Sequence, residues 1–389
     1  MNHHETLCIK TNTSSSFNAR YPLSRRMVLL GLVGAAMTAC GQNPKSSIGS
    51  STTATAIPST TTPSTNQPLL TYPNGGWAVS WSPDGKRIAS GRHGKNNNLE
   101  IWDANTGKTL LTYTGHTDPV EALAWSPDGQ FLASGSSANT NSNTSTTSIQ
   151  IWHASTKQKR LTYSAHTYTI TQIAWSPDGT RIASAALDGT ARIWDPLTGK
   201  TIHILENNPG QAFLGIQALS WSPDGNFLVT GDYSSGSGGP YPPLTVKVWD
   251  THSGKASLTL DTPGAALAWS PQGNTIAIGQ GQFEDHSEAA IHFWDAISGK
   301  KLGSLQAIYT VLSLAWSPNG KYIASGGGDT QAEGSDNQVQ VWDVSRGKNL
   351  HTFKGGLTFV SSLSWSPDST RIVVGSAGDM TIPVWQAIP

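Results

Sequence analysis

The chain has 389 residues, with 25 lysines and arginines balanced by 25 aspartates and glutamates, and only 13% of its residues are charged. That balance excludes the concentrated basic footprint that phosphate-backbone binding requires, so nucleic acid is not expected as a partner. The two cysteines, Cys8 and Cys40, precede everything that reads as folded, which excludes a disulfide framework or a thiolate metal site in the body.

In chain order, the first feature is Ser24-Arg25-Arg26 followed by an uncharged apolar run from Met27 to Ala39. This has the basic region and short hydrophobic region of a secretory signal. At ~1.5 Å rise per residue such a run reaches about 20 Å, short of the ~30 Å hydrocarbon core, so a permanent membrane helix is the poorer reading. Arg25 and Arg26 resemble a twin-arginine export signal, matched approximately by Val28 and Leu29, with general secretion as the other route. Met37-Thr38-Ala39-Cys40-Gly41 resembles a bacterial lipobox, although Met37 departs from the aliphatic residue usual there; an ordinary small-residue cleavage site is the alternative. The resemblance implies a signal peptide over residues 1–39 and a lipid on Cys40. The expected location is therefore export, with a lipid anchor to the outer side of the bacterial cell membrane. Residues 42–67 are almost entirely Ser, Thr, Pro, Asn and Gly, so 40–68 reads as a lipidated tether with too few apolar residues to order itself.

Beyond the tether, Trp-Ser-Pro recurs at Trp81, Trp125, Trp175, Trp221, Trp269, Trp316 and Trp365, a period of 44 to 50 residues. A period of that size marks a propeller or a solenoid. Each Trp-Ser-Pro leads through a turn pair such as Asp84-Gly85 into an apolar run such as RIASG, which is a hairpin and a second strand. A second tryptophan follows in every repeat, at Trp102, Trp152, Trp194, Trp249, Trp294, Trp342 and Trp385, ending a third strand. Asp follows it in five repeats, and a Gly-Lys turn such as Gly107-Lys108 then opens a fourth strand.

These residues resemble the WD-repeat family across residues 69–389. The Trp-Ser-Pro-Asp-Gly element by itself also resembles other propellers, but the Trp-Asp and Gly-Lys that follow it separate this chain from them. The resemblance implies an all-β, seven-bladed β-propeller with four antiparallel strands per blade. The seventh repeat ends just after its third strand, while Leu69-Leu70-Thr71-Tyr72 matches a fourth strand, so the last blade is expected to be closed by the N-terminal strand. Fourteen of the fifteen tryptophans fall in the two repeat columns and read as packing between and within blades; Trp77 lies outside them. The family resemblance further implies a buried network of His166, Ser184, Asp188 and Trp194 in blade three. The same four residues resemble a catalytic set, but their repeat positions favour structure. The pattern is partial elsewhere, with His116 in blade two, Asp336 and Asp379 in blades six and seven, and Gly356 where blade seven would carry His.

The interval between the two tryptophans is 19 to 21 residues in blades one, three and seven, but 25 to 28 in blades two, four, five and six. The additional residues fall between the second and third strands, on the face that also carries the fourth-to-first connections. That rim is the candidate binding face. Tyr233, Tyr241 and Phe283 are candidate anchors there, with Asp285, His286 and Glu333 around them. Glu284, Asp285, His286 and Glu288 match no metal-ligand frame, so no metal is expected. No nucleophile elbow, zinc-protease helix, P-loop or dinucleotide fingerprint is present in the sequence. The expectation is a monomeric protein-interaction scaffold without cofactor, an unidentified protein as its partner, and the membrane reached through the lipid anchor only. The other reading is a propeller enzyme or small-ligand sensor built from rim loops or the central pore.

Overall fold

Each repeat turns where its own side chains satisfy the backbone. In the computed structural model, which describes residues 67–92, 98–137, 147–209, 215–233, 243–280, 289–328, 337–354, 357, 359–376 and 381–388, the first hairpin of blade one shows how. Ser82 Oγ accepts the backbone N–H of Arg87 at 3.0 Å and donates to Asp84, whose Oδ1 accepts the N–H of Lys86 at 3.0 Å. Gly85 takes a φ of 70°, in the left-handed region that glycine enters freely. Blade seven has Ser369 in that place with a φ of 63°, and among the described residues the other non-glycine residue in the left-handed region is Lys157, in the third-to-fourth turn of blade two, with a φ of 64°.

The strands so formed assemble into seven four-stranded antiparallel sheets, a seven-bladed β-propeller. Blade one, for example, runs Ala78–Trp81, Arg87–Gly91, Leu99–Asp103 and Thr109–Tyr113 from inside to outside. The innermost strand of each blade packs against the innermost strands of both neighbours. The ring closes where Ala78–Trp81 of blade one meets Val360–Trp365 of blade seven. Closure is completed at the outside by Leu70–Tyr72, which pairs antiparallel with Ile382–Gln386, Leu70 opposite Val384 and Tyr72 opposite Ile382. The expected clasp between the chain's two ends is borne out.

Blades are joined through the two tryptophan columns. In the outer column the third-strand indole stacks on an aromatic ring from the outermost strand of the preceding blade. Tyr72 lies 4.6 Å from Trp102, Tyr113 4.7 Å from Trp152, Tyr163 4.2 Å from Trp194 and Phe353 5.0 Å from Trp385, all nearly parallel. Leu205, Leu260 and Leu305 take that place against Trp249, Trp294 and Trp342. Such aromatic pairs add roughly 0.5–1.5 kcal/mol to the area they bury.

The inner column uses two arrangements. In blades two, three, four, six and seven the innermost strand carries a bulge, and the first-column indole donates to a backbone carbonyl of the preceding blade. Trp125 reaches Ser80, Trp175 reaches Ala124 and Trp221 reaches Ala174, each at 3.1 Å; Trp316 and Trp365 reach Ala268 and Ala315. The innermost strands of blades one and five have four residues and a regular register. There the indole does not cross, and a serine of the preceding blade accepts the tryptophan's backbone N–H instead: Trp81 N to Ser364 Oγ and Trp269 N to Ser220 Oγ, both 3.0 Å. The bulge lies at the start of these strands, three to five residues before the tryptophan, and occurs together with the indole crossing in all five blades. Arginines from the start of a second strand cover the next blade's indole at three interfaces, Arg87 over Trp125, Arg181 over Trp221 and Arg371 over Trp81, at 4.8 to 5.1 Å.

Tyr72 joins both ends of the ring to blade one, since its hydroxyl meets Thr109 Oγ1 at 2.7 Å and donates to Glu100 at 3.0 Å. Tyr72→Ala is expected to cost ~3–5 kcal/mol through the buried volume it removes, whereas Tyr72→Phe keeps the stack and costs about 1 kcal/mol, read from urea midpoints. Lys157→Gly relieves an exposed left-handed residue and is expected to raise stability by about 0.5–1 kcal/mol in the same measurement.

Candidate functional site

Up-and-down strands put the second-to-third and fourth-to-first connections on one face of the ring. The longer connections of blades two, four, five and six leave that face from Ser136, Tyr233, Gln280 and Gly327. Tyr233 closes the second strand of blade four, opposite Gly215. Tyr241, Phe283, Asp285, His286 and Glu333 lie outside the described residues, as do Gly356, Asp336 and Asp379. The structure therefore fixes where the inserted segments start and end.

Where the chain enters blades two, three and four on that face lies a floor of buried polar groups. In blade three, His166 sits between Asp188 and Ser184, with Nδ1 2.9 Å from Asp188 Oδ2 and Nε2 2.8 Å from Ser184 Oγ. Trp194 Nε1 donates to the same Ser184 oxygen at 3.2 Å. Asp188 also accepts the N–H of Thr167 at 3.0 Å and both the N–H and hydroxyl of Thr190. Ser184 has an exposure of 0%, so no substrate reaches the hydroxyl that a catalytic reading would make a nucleophile. The four residues tie the entry of the blade to its second and third strands. Burial raises the Asp188 carboxyl, but the hydrogen bond and charge of His166 and the donors of Thr190 and Thr167 outweigh it and hold its pKa at about 2.

Blade four holds a second network, one that the sequence motif does not display. Trp249 Nε1 donates to Thr230 Oγ1 at 2.7 Å, Thr230 donates to Asn207 Oδ1 at 2.6 Å, and Asn207 in turn donates to Asp232. Asp232 also accepts the N–H of Thr245 at 3.1 Å and the side-chain N–H of Asn208. Burial raises its carboxyl pKa against those donors, two residues before the longest insert begins. The signal was Thr230, nine residues after Trp221 as Ser184 is after Trp175. Asn207 was hidden because the connection into blade four is longer, which breaks the spacing that marks a histidine.

The same column explains other blades. Trp102 and Trp342 find Ser90 and Ser325 at 3.2 and 3.1 Å. Where Ile278 and Val374 occupy it, Trp294 and Trp385 have no acceptor among the described residues. In blade two, Ser134 meets His116 Nε2 at 2.7 Å, Gln150 reaches Gly115 O at 3.0 Å, and Trp152 Nε1 also lacks an acceptor. Burial, helped by the charge of Lys159, lowers the pKa of His116 to about 4. Among the described residues no group of three or more His, Cys, Asp or Glu side chains converges as a metal site would require.

The family model described as WD domain, G-beta repeat matches residues 67–103, 107–143, 157–195 and 347–386. A second model, eukaryotic translation initiation factor eIF2A, matches 214–355. The chain carries WD40 repeats, and the match from 67 to 103 begins with the outermost strand of blade seven and ends with the third strand of blade one. Among curated proteins, the B-type cell cycle switch protein ccs52B of Medicago truncatula is 29% identical over 174 residues, 44% of this chain and 32% of the relative. The WD repeat-containing protein srw1 of Schizosaccharomyces pombe is 27% identical over 282 residues, 71% of this chain and 44% of the relative. The anaphase-promoting complex subunit cdc20 of Dictyostelium discoideum is 26% identical over 216 residues, 52% of this chain and 37% of the relative. The chain thus spans less than half the length of each of these relatives.

These relatives are eukaryotic, one named as a cell cycle switch protein and another as an anaphase-promoting complex subunit, which overturns the expected location. They are not exported bacterial proteins held by a lipid outside a cell membrane, and that expectation is withdrawn. The segment that suggested it, with Arg25, Arg26 and Cys40, lies outside the described residues, and the family match begins only at residue 67.

Acid is expected to weaken the floor in two stages. His116 has a folded pKa of about 4, below the ordinary 6.5, so the unfolded chain gains a proton that the folded chain refuses, and stability falls as pH drops from 6.5 towards 4. That contribution is at most roughly 3 kcal/mol, and it should vanish from urea titrations of His116→Gln. Asp188 contributes stability above the unfolded carboxylate pKa that is lost as pH falls through its folded value of about 2, and Asp188→Asn should remove that second stage.

Proposed function

We propose that residues 69–389 form a scaffold that holds a protein partner on the face carrying the inserted connections. Tyr233, Tyr241 and Phe283 supply the anchors, and Asp285, His286 and Glu333 the polar rim. The networks of His166, Ser184, Asp188 and Trp194 and of Asn207, Thr230, Asp232 and Trp249 hold the floor beneath them. No cofactor takes part, and one copy of the propeller suffices.

The observation that carries the reading is the asymmetry between the two faces. The turns between first and second strands keep one Trp-Ser-Pro pattern in all seven blades, while on the other face four of the seven second-to-third connections are lengthened with unlike sequences. Repeated turns serve the fold alike in every blade; unlike loops on a rigid ring are where recognition is placed. The relatives point the same way, one being named as a subunit of the anaphase-promoting complex.

Shortening the connections at 234–242 and 281–288 together is expected to abolish capture of the crosslinked protein partner while leaving the melting temperature unchanged. Undiminished capture by the shortened chain would overturn the assignment of the face.

A further inference from the structure

The opposite face is made of the first-to-second and third-to-fourth turns, all within the described residues. Fifteen of the 20 lysines and arginines beyond residue 66 lie there, against ten of the 24 acids. The acids of the third-to-fourth turns are engaged by their own backbone. Asp195 accepts the N–H of Leu197 at 2.7 Å and of Thr198 at 3.0 Å; Asp295 accepts those of Ile297 at 3.2 Å and Ser298 at 2.7 Å. This local hydrogen bonding fixes what the turn presents: the residue two after Asp stands at the tip, and a lysine follows the left-handed glycine.

Lys108, Lys200, Lys255, Lys300 and Lys348 occupy that lysine position in blades one, three, four, five and six, all exposed. None of them lies within ion-pair distance of a carboxylate among the described residues. Beside them stand apolar side chains. Ile297 at 81% and Leu197 at 62% have the highest exposure of the large hydrophobic residues described, and Leu302 at 54% and Leu110 at 51% follow the lysines of blades five and one. Lysines on outermost strands guard sheet edges against unwanted pairing, and that would account for the charges by itself. It does not account for Ile297 and Leu197, since a guarded edge gains nothing from protruding hydrocarbon.

We propose that this face docks on an anionic lipid surface. Lysines attract such a surface by roughly 1 kcal/mol each within a Debye length, and isolated apolar tips enter the interface between headgroups and acyl chains. The turn lysines are spread over five of the seven blades, and the apolar residues stand singly at turn tips. That spacing suits an extended surface of lipid headgroups better than the pocket of an acidic protein. The docking needs neither a covalent lipid nor export, goes beyond the protein partner proposed above, and leaves the face with the inserts free.

The test is flotation of the full chain with vesicles of phosphatidylcholine alone and of phosphatidylcholine containing roughly a third phosphatidylserine. Binding is expected only to the second, weakening with salt. Lys200→Glu, Lys300→Glu and Lys301→Glu together should lower partitioning by on the order of tenfold or more. Leu197→Ser with Ile297→Ser should lower it several-fold without changing its salt dependence, whereas reversing Arg92 and Lys354 on the other face should leave it unchanged. Equal binding to phosphatidylcholine alone, no binding to either vesicle, or equal loss from reversals on both faces would overturn the proposal. So would indifference to the Leu197 and Ile297 changes combined with full competition by polyglutamate, an outcome that assigns the face to an acidic polypeptide. Capture of the protein partner by these variants stays intact if the two faces act separately.

Discussion

The fold depends on each blade burying its tryptophans against a neighbour. Trp102, Trp152, Trp194 and Trp385 are almost wholly excluded from solvent, and the ring that covers each comes from the preceding blade's outermost strand. A single blade has no means of covering its own indole, so the sheets are stable only as a closed ring. That is why three residues at the start of the propeller matter beyond their number. Leu70–Tyr72 supplies both the missing outer strand of blade seven and the aromatic cover of Trp102 in blade one.

The ring is closed but not uniform. Five of its seven inner interfaces are crossed by an indole-to-carbonyl hydrogen bond, and the two entered by the unbulged strands of blades one and five by a serine hydroxyl instead. The two devices are alternatives: bulged strands are found with the indole reaching the neighbour's carbonyl, and the regular strands with a backbone N–H met by Ser220 or Ser364. Blades one to four and blades five to seven thus form two arcs, each tied internally by indoles and joined at two serine seams.

Rigidity of that ring separates the chemistry of its two faces. On one face, buried networks in blades two, three and four hold the chain where it enters each blade. On the other, repeated turns consume their aspartates locally and leave their lysines in solvent. The polarity of the strands alone decides which face receives which residues, because alternate connections of an up-and-down sheet emerge on opposite sides.

Period and turn chemistry are local properties, and they were legible in the sequence: seven repeats, four strands in each, the two tryptophan columns and the fourth-strand likeness of Leu69 to Tyr72. The blade-three network was legible too, because His166, Ser184 and Asp188 stand at fixed offsets from their tryptophans. Blade four was not, since Asn207 reaches Thr230 and Asp232 across a longer connection whose length conceals the offset. The N-terminal segment carried motifs for export and lipidation that the relatives do not support. Nor did the sequence reveal which interfaces use indoles and which serines, or that Leu197 and Ile297 protrude beside unpaired lysines. Those are decided by register and by distance between chain segments far apart in sequence, quantities that exist only once the ring has closed.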